Sequence, residues 1–535
     1  MSARLFRALL AGVALVAMAL VVTSTFRGPG VGGDATIYMT SARNLLDGKG
    51  LGLVGPRGEF RLLPYFPPFF PFVLSAAGLL GLDLEFAARW LNILLFGGLV
   101  ALVGEVTLRA AHSRILALLA AVLLALSPVL IPVYSWAMSE PLAIFTGFAG
   151  LVLALRAVRA PDPRPWALLG GLVLGLSVLT RYSSAAYLGA GLLALLVYLP
   201  GGWKRRLWNG ILLLAAGTAP AAAWVVYDLR MTAAVASRSM ESGGGMAARL
   251  AGLPALLEEV VLFWLVPDSW VSNPPYPAAL NRLLVIAAVL LFLAAAGLVL
   301  LRAARRNPSL LRADAGMLAV TLGLFIMAYL AELALVYITT YPPITIGSRM
   351  LSPVHAAVLW LAVVLAALAL QAWPVNKWLP RLLPLAILAL AAWYGLRSER
   401  IVWLNHEVGM GFNMRTWRDS ETVAAVKALP ADAFLVTNEE TAVLYLTGRA
   451  SYPVKEIYRG SPLAENLPYG AGQIDETDYG QLAFRDEGAV LILFDSFYPQ
   501  LEGVYGAGTE ARVQGFTRGL RELFDGPDGA MFLYR

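Results

Sequence analysis

The chain has 535 residues, 59% of them hydrophobic and only 14% charged, with a net charge of +6 and a mean hydropathy of +0.68. Soluble domains carry about 25% charged residues, so this composition excludes an ordinary water-soluble enzyme and describes a chain mostly dissolved in lipid. The 41 basic residues fall in short clusters between apolar runs, which argues against nucleic acid as a partner, and the absence of cysteine excludes a disulfide framework or a thiol nucleophile.

The apolar runs are continuous Leu/Ala/Val/Gly blocks without strand-like alternation, which predicts a polytopic α-helical membrane protein. The first, at 5–26, follows Arg4 and Arg7 and lacks a convincing small-residue cleavage site, so it reads as an uncleaved signal anchor. Further spans are expected at 87–108, 115–133, 141–157, 166–180, 184–199, 207–228, 281–301, 315–338, 351–371 and 380–397, about eleven crossings in all.

The run Phe66–Leu82 opens on Pro67, Pro68 and Pro71, and is expected either to lie in the interface or to dip in and return, without crossing. That choice places the clusters around Arg109, Arg156, Arg205, Arg305 and Lys377 on the same side as Arg4 and Arg7. The positive-inside rule then makes that side cytoplasmic and puts the C-terminus outside. The expected domains are a transmembrane domain, 1–397, with outer loops 27–86 and 229–280, and an outer α/β domain, 398–535. In the latter, Phe434–Thr437, Ala489–Phe494 and Met531–Tyr534 read as strands, and Thr422–Leu429 and Thr441–Thr447 as helices.

Asp34 stands just past the first span, where a carboxylate is solvated yet within reach of a group held at the bilayer surface. It also reads as a helix N-cap after Gly32-Gly33. Glu140, in Ser139-Glu140-Pro141, reads as the acidic first turn of a helix or as a second outer-face carboxylate that binds acceptor or metal. Arg181 and Arg349 lie at the outer ends of apolar spans, where an arginine snorkels or faces a polar cavity, and its fork suits phosphate oxygens. His355 follows Arg349 on the same span; a lone helical histidine is more often packed than ligating, and no histidine cluster for zinc exists. Arg238 and Arg249 flank Ser242–Met246, a glycine-rich stretch that reads as a hinge able to close over a substrate.

In order, GDATIYMTSARNLLDGKG, YFPPFFPFVLSAAGLLG, FAARWLNILL, SPVLIPVYSWAMSEPL, GLVLGLSVLTRYSS and GSRMLSPVHAAV resemble motifs of the GT-C superfamily of polyprenyl-phosphate-sugar-dependent glycosyltransferases. The similarity is greatest to bacterial relatives of protein O-mannosyltransferases and lipid A aminoarabinose transferases, and covers residues 5–400. It implies an inverting glycosyltransferase of the bacterial-type plasma membrane, taking a sugar from a polyprenyl-phosphate donor to a hydroxyl of a glycan, lipid or protein acceptor. Asp34 would be the catalytic base, Glu140 and Tyr38 would serve acceptor or metal, and Arg181, Arg349 and Arg61 the donor phosphate, with His355 secondary. Arg61 enters because Phe66 occupies the place where aminoarabinose-transferase relatives often carry lysine. A divalent cation (Mg or Mn) has a place beside two carboxylates, and no other cofactor is implied. The competing class is a polyprenyl-linked lipid or sugar flippase, which would more typically show mid-span charges and repeated halves.

Overall fold

A computed structural model describes the chain except for residues 63–65, 233–238, 241–244, 342–343, 375, 466–478 and 535. Among the described residues, eight helices are long and apolar enough to cross a membrane: Ala3–Ser24, Leu84–Ala111, Glu140–Arg159, Trp203–Arg230, Ala279–Arg306, Asp314–Thr339, Ser352–Ala372 and Leu379–Val408. The three other expected spans are shorter. Arg164–Thr180 and Ala185–Tyr198 have 17 and 14 residues, and the expected span 115–133 is broken into Arg114–Ala125 and Leu130–Ser135. Pro128 and Pro132, which lack a backbone N–H, fall in and just after that break. The count of about eleven is therefore eight by length, with three shorter apolar elements beside them. The proline-rich segment forms the helix Phe69–Leu79, whose 11 residues reach only about 16 Å against the roughly 30 Å of a bilayer core.

The chain divides into two compact units. The first comprises Met1–Phe26, Pro64–Ala76 and Glu85–Glu407, and the second Arg27–Leu63, Ala77–Leu84 and Val408–Arg535. Residues 27–63 and 77–84 are thus grouped with residues 408–535.

Small residues let the helices of the first unit approach closely, as lipid-embedded interfaces require. A Cβ on Gly171 would collide with the Leu213 carbonyl, and one on Gly175 with the Gly217 carbonyl, so Arg164–Thr180 seats directly on the backbone of Trp203–Thr232. Ser177 Oγ donates to the Ala143 carbonyl at 2.9 Å, joining the same helix to Glu140–Arg159. The centre is aromatic. Tyr187 and Phe325 stack at 3.9 Å, and Phe148 meets Tyr187, Phe325 and Trp360 edge-on. Trp360 Nε1 donates to Thr107 Oγ1 at 2.9 Å, which satisfies a buried indole. By contrast Leu283, Leu290, Leu291 and Leu298 on Ala279–Arg306 are exposed, as lipid-facing side chains are. At the end carrying the basic clusters, Arg159 bridges to Asp314 at 2.8 Å and donates to the Arg312 carbonyl, and Arg306 donates to the Ala372 carbonyl. Two short strands, β3 (Ser239–Met240) and β4 (Thr340–Tyr341), pair antiparallel in this unit, after the β1–β2 hairpin of the other.

In the second unit, β1 (Gly52–Val54) and β2 (Phe60–Leu62) form an antiparallel hairpin after the helix Gly33–Leu46. Asn44 Nδ2 donates to the Gly52 carbonyl at 2.8 Å and so fixes the helix against the hairpin. Farther along lie β5 (Leu435–Thr437), β6 (Tyr452–Pro453), β7 (Val490–Phe494), β8 (Arg521–Gly526) and β9 (Gly529–Leu533). They make one sheet in the order β6-β5-β7-β9-β8, parallel across β6, β5 and β7 and antiparallel beyond. All five residues of β7 are buried, as a central strand covered on both faces must be. Val436, Leu491, Leu493 and Phe497 form one side of the core, and Val426, Leu435, Val443 and Ile492 the other.

Candidate functional site

The break after Ala125 shapes the site. Ser127 Oγ accepts from the N–H groups of Val129 and Leu130 at 3.3 and 3.1 Å, capping the short helix Leu130–Ser135. His355 Nε2 lies 3.0 Å from the same hydroxyl, and the imidazole packs edge-on against Trp264. The histidine is therefore the packed residue its isolation in the sequence allows, fully buried and holding the break in shape.

The chain then runs extended through Trp136 to a second helix start at Glu140. Asn92 Nδ2 donates to the Trp136 carbonyl at 2.7 Å and fixes this stretch. Glu140 is 1% exposed. Its Oε1 lies 2.9 Å from Arg181 Nη1 and 3.3 Å from Arg349 Nε. Burial of a lone carboxylate is costly, and two guanidinium groups compensate it. One carboxylate oxygen thus meets two guanidinium groups.

Each arginine sits where a helix is interrupted. Arg181 is the C-cap of Arg164–Thr180, before the turn Tyr182–Ser184. Arg349 lies in the turn ahead of Ser352–Ala372, and its carbonyl accepts from Ser352 Oγ at 2.7 Å. Tyr329 joins the two turns. Its hydroxyl donates to the Met350 carbonyl at 2.7 Å and lies 3.4 Å from Ser183 Oγ. Arg349 and Glu140 also line a cavity of about 290 Å³, whose walls include Pro128, Val129, Pro132, Val133, Trp136 and Phe263. The space is an apolar slot with an ion-paired edge. It fits an amphiphile that carries an acidic head better than a free, fully polar sugar.

A second buried cluster stands beside it. Arg397 donates to the carbonyls of Trp264 and Phe263 at 2.9 and 2.6 Å, and Trp393 Nε1 to that of Leu265 at 2.9 Å. The end of the helix Gly245–Leu265 is thereby satisfied, and Phe263 is held at the cavity wall. Arg249, on the same helix, donates to the Thr340 carbonyl at 2.7 Å. Arg238 and Ser242–Gly244, of the hinge expected from the sequence, lie outside the described residues; Gly245 and Met246 open the helix.

The remaining candidates belong to the second unit. Asp34 is in the first turn of Gly33–Leu46, whose N-cap is Gly32, so it lies inside the helix rather than capping it. Tyr38, one turn on, is buried. Arg61 is on β2, exposed, with Glu59 at 3.9 Å. The structure thus brings together Glu140, Arg181 and Arg349, and groups Asp34, Tyr38 and Arg61 in the other unit. Among the described residues no three His, Asp or Glu side chains gather in a form that could hold a metal ion.

Residues 57–216 match the family model of dolichyl-phosphate-mannose-protein mannosyltransferase, a stretch that includes Glu140 and Arg181. No curated protein sequence matches the chain. Among solved structures, ArnT from Cupriavidus metallidurans bound to undecaprenyl phosphate is similar over 100% of this chain and 99% of its own, with a TM-score of 0.57 at 15% identity. The archaeal oligosaccharyltransferase AglB from Archaeoglobus fulgidus, in complex with an inhibitory peptide and a dolichol-phosphate, is similar over 99% of this chain and 74% of its own, with a TM-score of 0.52 at 13% identity. The family pattern covers residues 57–216, and the fold along the whole chain is similar to those of ArnT and AglB.

Proposed function

We propose that the protein transfers a sugar from a polyprenyl-phosphate donor to an acceptor hydroxyl at the outer face of a bacterial-type plasma membrane, with inversion at the anomeric carbon. The observation that carries this reading is the buried Glu140 holding Arg181 and Arg349 at the edge of an apolar cavity. An isoprenoid phosphate has that character, a greasy chain ending in an anion, and undecaprenyl phosphate is bound by the similar ArnT. Glu140 acts by aligning the arginines; the acceptor or metal role expected for it has less support, because both cations already engage its carboxylate.

In the reaction, Asp34 takes the proton of the acceptor hydroxyl as that oxygen bonds to the anomeric carbon. The bond from that carbon to the phosphate oxygen breaks, and the electron pair leaves on the phosphate, where Arg349 and Arg181 stabilise it. Three further features belong to the proposal: the shorter apolar helices complete about eleven crossings, the basic end is cytoplasmic, and the 398–535 region is an outer α/β domain. The basic clusters tied together around Arg159 and Arg306 support that orientation.

The test uses membranes holding the full chain and a radiolabelled polyprenyl-phosphate sugar. Passage of label to an acceptor is expected. Movement of the intact labelled lipid between leaflets without transfer would replace this reading with a flippase.

A further inference from the structure

The segment that delivers Asp34 is Gly28-Pro29-Gly30-Val31-Gly32-Gly33. Four glycines in six residues leave almost no side chains to pack, and Gly28 takes φ +106°, a conformation open to glycine. Such a run is conformationally loose unless its backbone is held. In this protein the hold comes from the other end of the chain. The Phe412 N–H donates to the Val31 carbonyl at 2.7 Å, and Asn413 Nδ2 donates to the Pro29 carbonyl at 2.8 Å.

Asn413 is itself fixed. It is 1% exposed, and its Oδ1 accepts from Tyr445 Oη at 3.0 Å and from the Arg418 guanidinium. Gly33 then lies against Thr441 of the helix Glu440–Thr447, with room there for no more than a small group. A second tie holds the far side of the same loop. Arg57, at the tip of the β1–β2 hairpin, bonds Tyr452 Oη at 3.0 Å and Glu487 at 2.5 Å, over the ring of Phe434.

We propose that Asn413 is a positioning residue for sugar transfer, and that the C-terminal segment works by fixing the glycine run that presents Asp34. The proposal rests on the reading of Asp34 as the base. It gives the C-terminal region a role in the rate of the chemical step, separate from any part in choosing an acceptor.

The experiment compares wild-type protein, Asn413→Asp and Asp34→Asn as full chains in detergent or nanodiscs. Asn413→Asp keeps an oxygen for Arg418 and Tyr445 and removes the N–H that holds Pro29. Its kcat should fall about 10- to 100-fold, the effect of a small misplacement of a reacting group, with the donor KM unchanged. Amide hydrogen exchange from Val31 to Thr36 should quicken, while the melting temperature stays at the wild-type value. A wild-type kcat, or a loss of kcat matched by loss of folded protein, would overturn the proposal. An inactive Asp34→Asn beside a fully active Asn413→Asp would remove the clamp and leave the base in place. A fully active Asp34→Asn would remove both.

Discussion

Glu140 and Arg181 form an ion pair of 2.9 Å in which the acid is 1% and the base 16% exposed, 41 residues apart in sequence and joined across two helix ends. The same oxygen meets Arg349 at 3.3 Å, and that side chain is 47% exposed. Glu140 and Arg349 both line the cavity, the acid buried and the base half-exposed.

Replacing Glu140 by Gln removes the carboxylate that both guanidinium groups meet. Breaking a buried pair in this way costs roughly 3–5 kcal/mol, and here somewhat less because Arg349 is partly solvated. A lower melting temperature and a rise in donor KM are expected together. A variant with unchanged stability and unchanged KM would show that the pair does not organise the site.

Arg349→Lys keeps the charge and removes the fork. If that guanidinium carries the departing phosphate, kcat should fall by about 10²- to 10³-fold, as loss of one charge-stabilising donor does elsewhere. Arg61→Ala serves as its counterpart. Arg61 lies exposed on β2, and its removal should leave the rate unchanged if Arg349 and Arg181 are the phosphate ligands.

Asp34→Asn should abolish transfer, a loss of about 10²- to 10⁴-fold for a missing general base, while binding of the lipid donor persists. Donor binding is read by protection of the protein against heating in its presence. Full transfer by this variant would end the assignment.

His355→Ala should act on stability rather than chemistry. It removes the contact to Ser127 and leaves that hydroxyl and a well-packed cavity wall unsupported, at a cost of about 1–3 kcal/mol. Added metal should change neither the activity nor the melting curve of the wild type through this residue.

Gly175→Leu places a side chain against the backbone of Gly217 where even a Cβ does not fit. Overpacking costs about 1–3 kcal/mol or more, so the yield of folded protein should drop sharply. The substitution Gly189→Ala, at a position with open space, is the matched control.

The residues of the cluster were legible because charge in apolar sequence is expensive: Glu140, Arg181 and Arg349 stand out for that reason alone. Their union was not legible, since nothing local says that one carboxylate serves both arginines. Tyr329, Asn92 and Arg397 were missed. Each is a polar group within a span, the same signal in a weaker form, and their partners are backbone carbonyls that no side-chain pattern announces. The break at 126–129 was readable in Pro128 and Pro132 but was absorbed into one apolar run. The bond from Phe412 to Val31 joins backbone atoms 381 positions apart, so the grouping of the first loop with the C-terminal residues left no trace in local composition.

That grouping has a consequence for biosynthesis. Residues 27–63 emerge from the ribosome well before 408–535, with which they form one compact unit. At about 5–20 residues per second, the intervening stretch of roughly 350 residues takes on the order of 20–70 s to make. Throughout that interval the glycine run and its helix lack the neighbours that shape them, so the first loop takes its final form only after residues 408–535 are made.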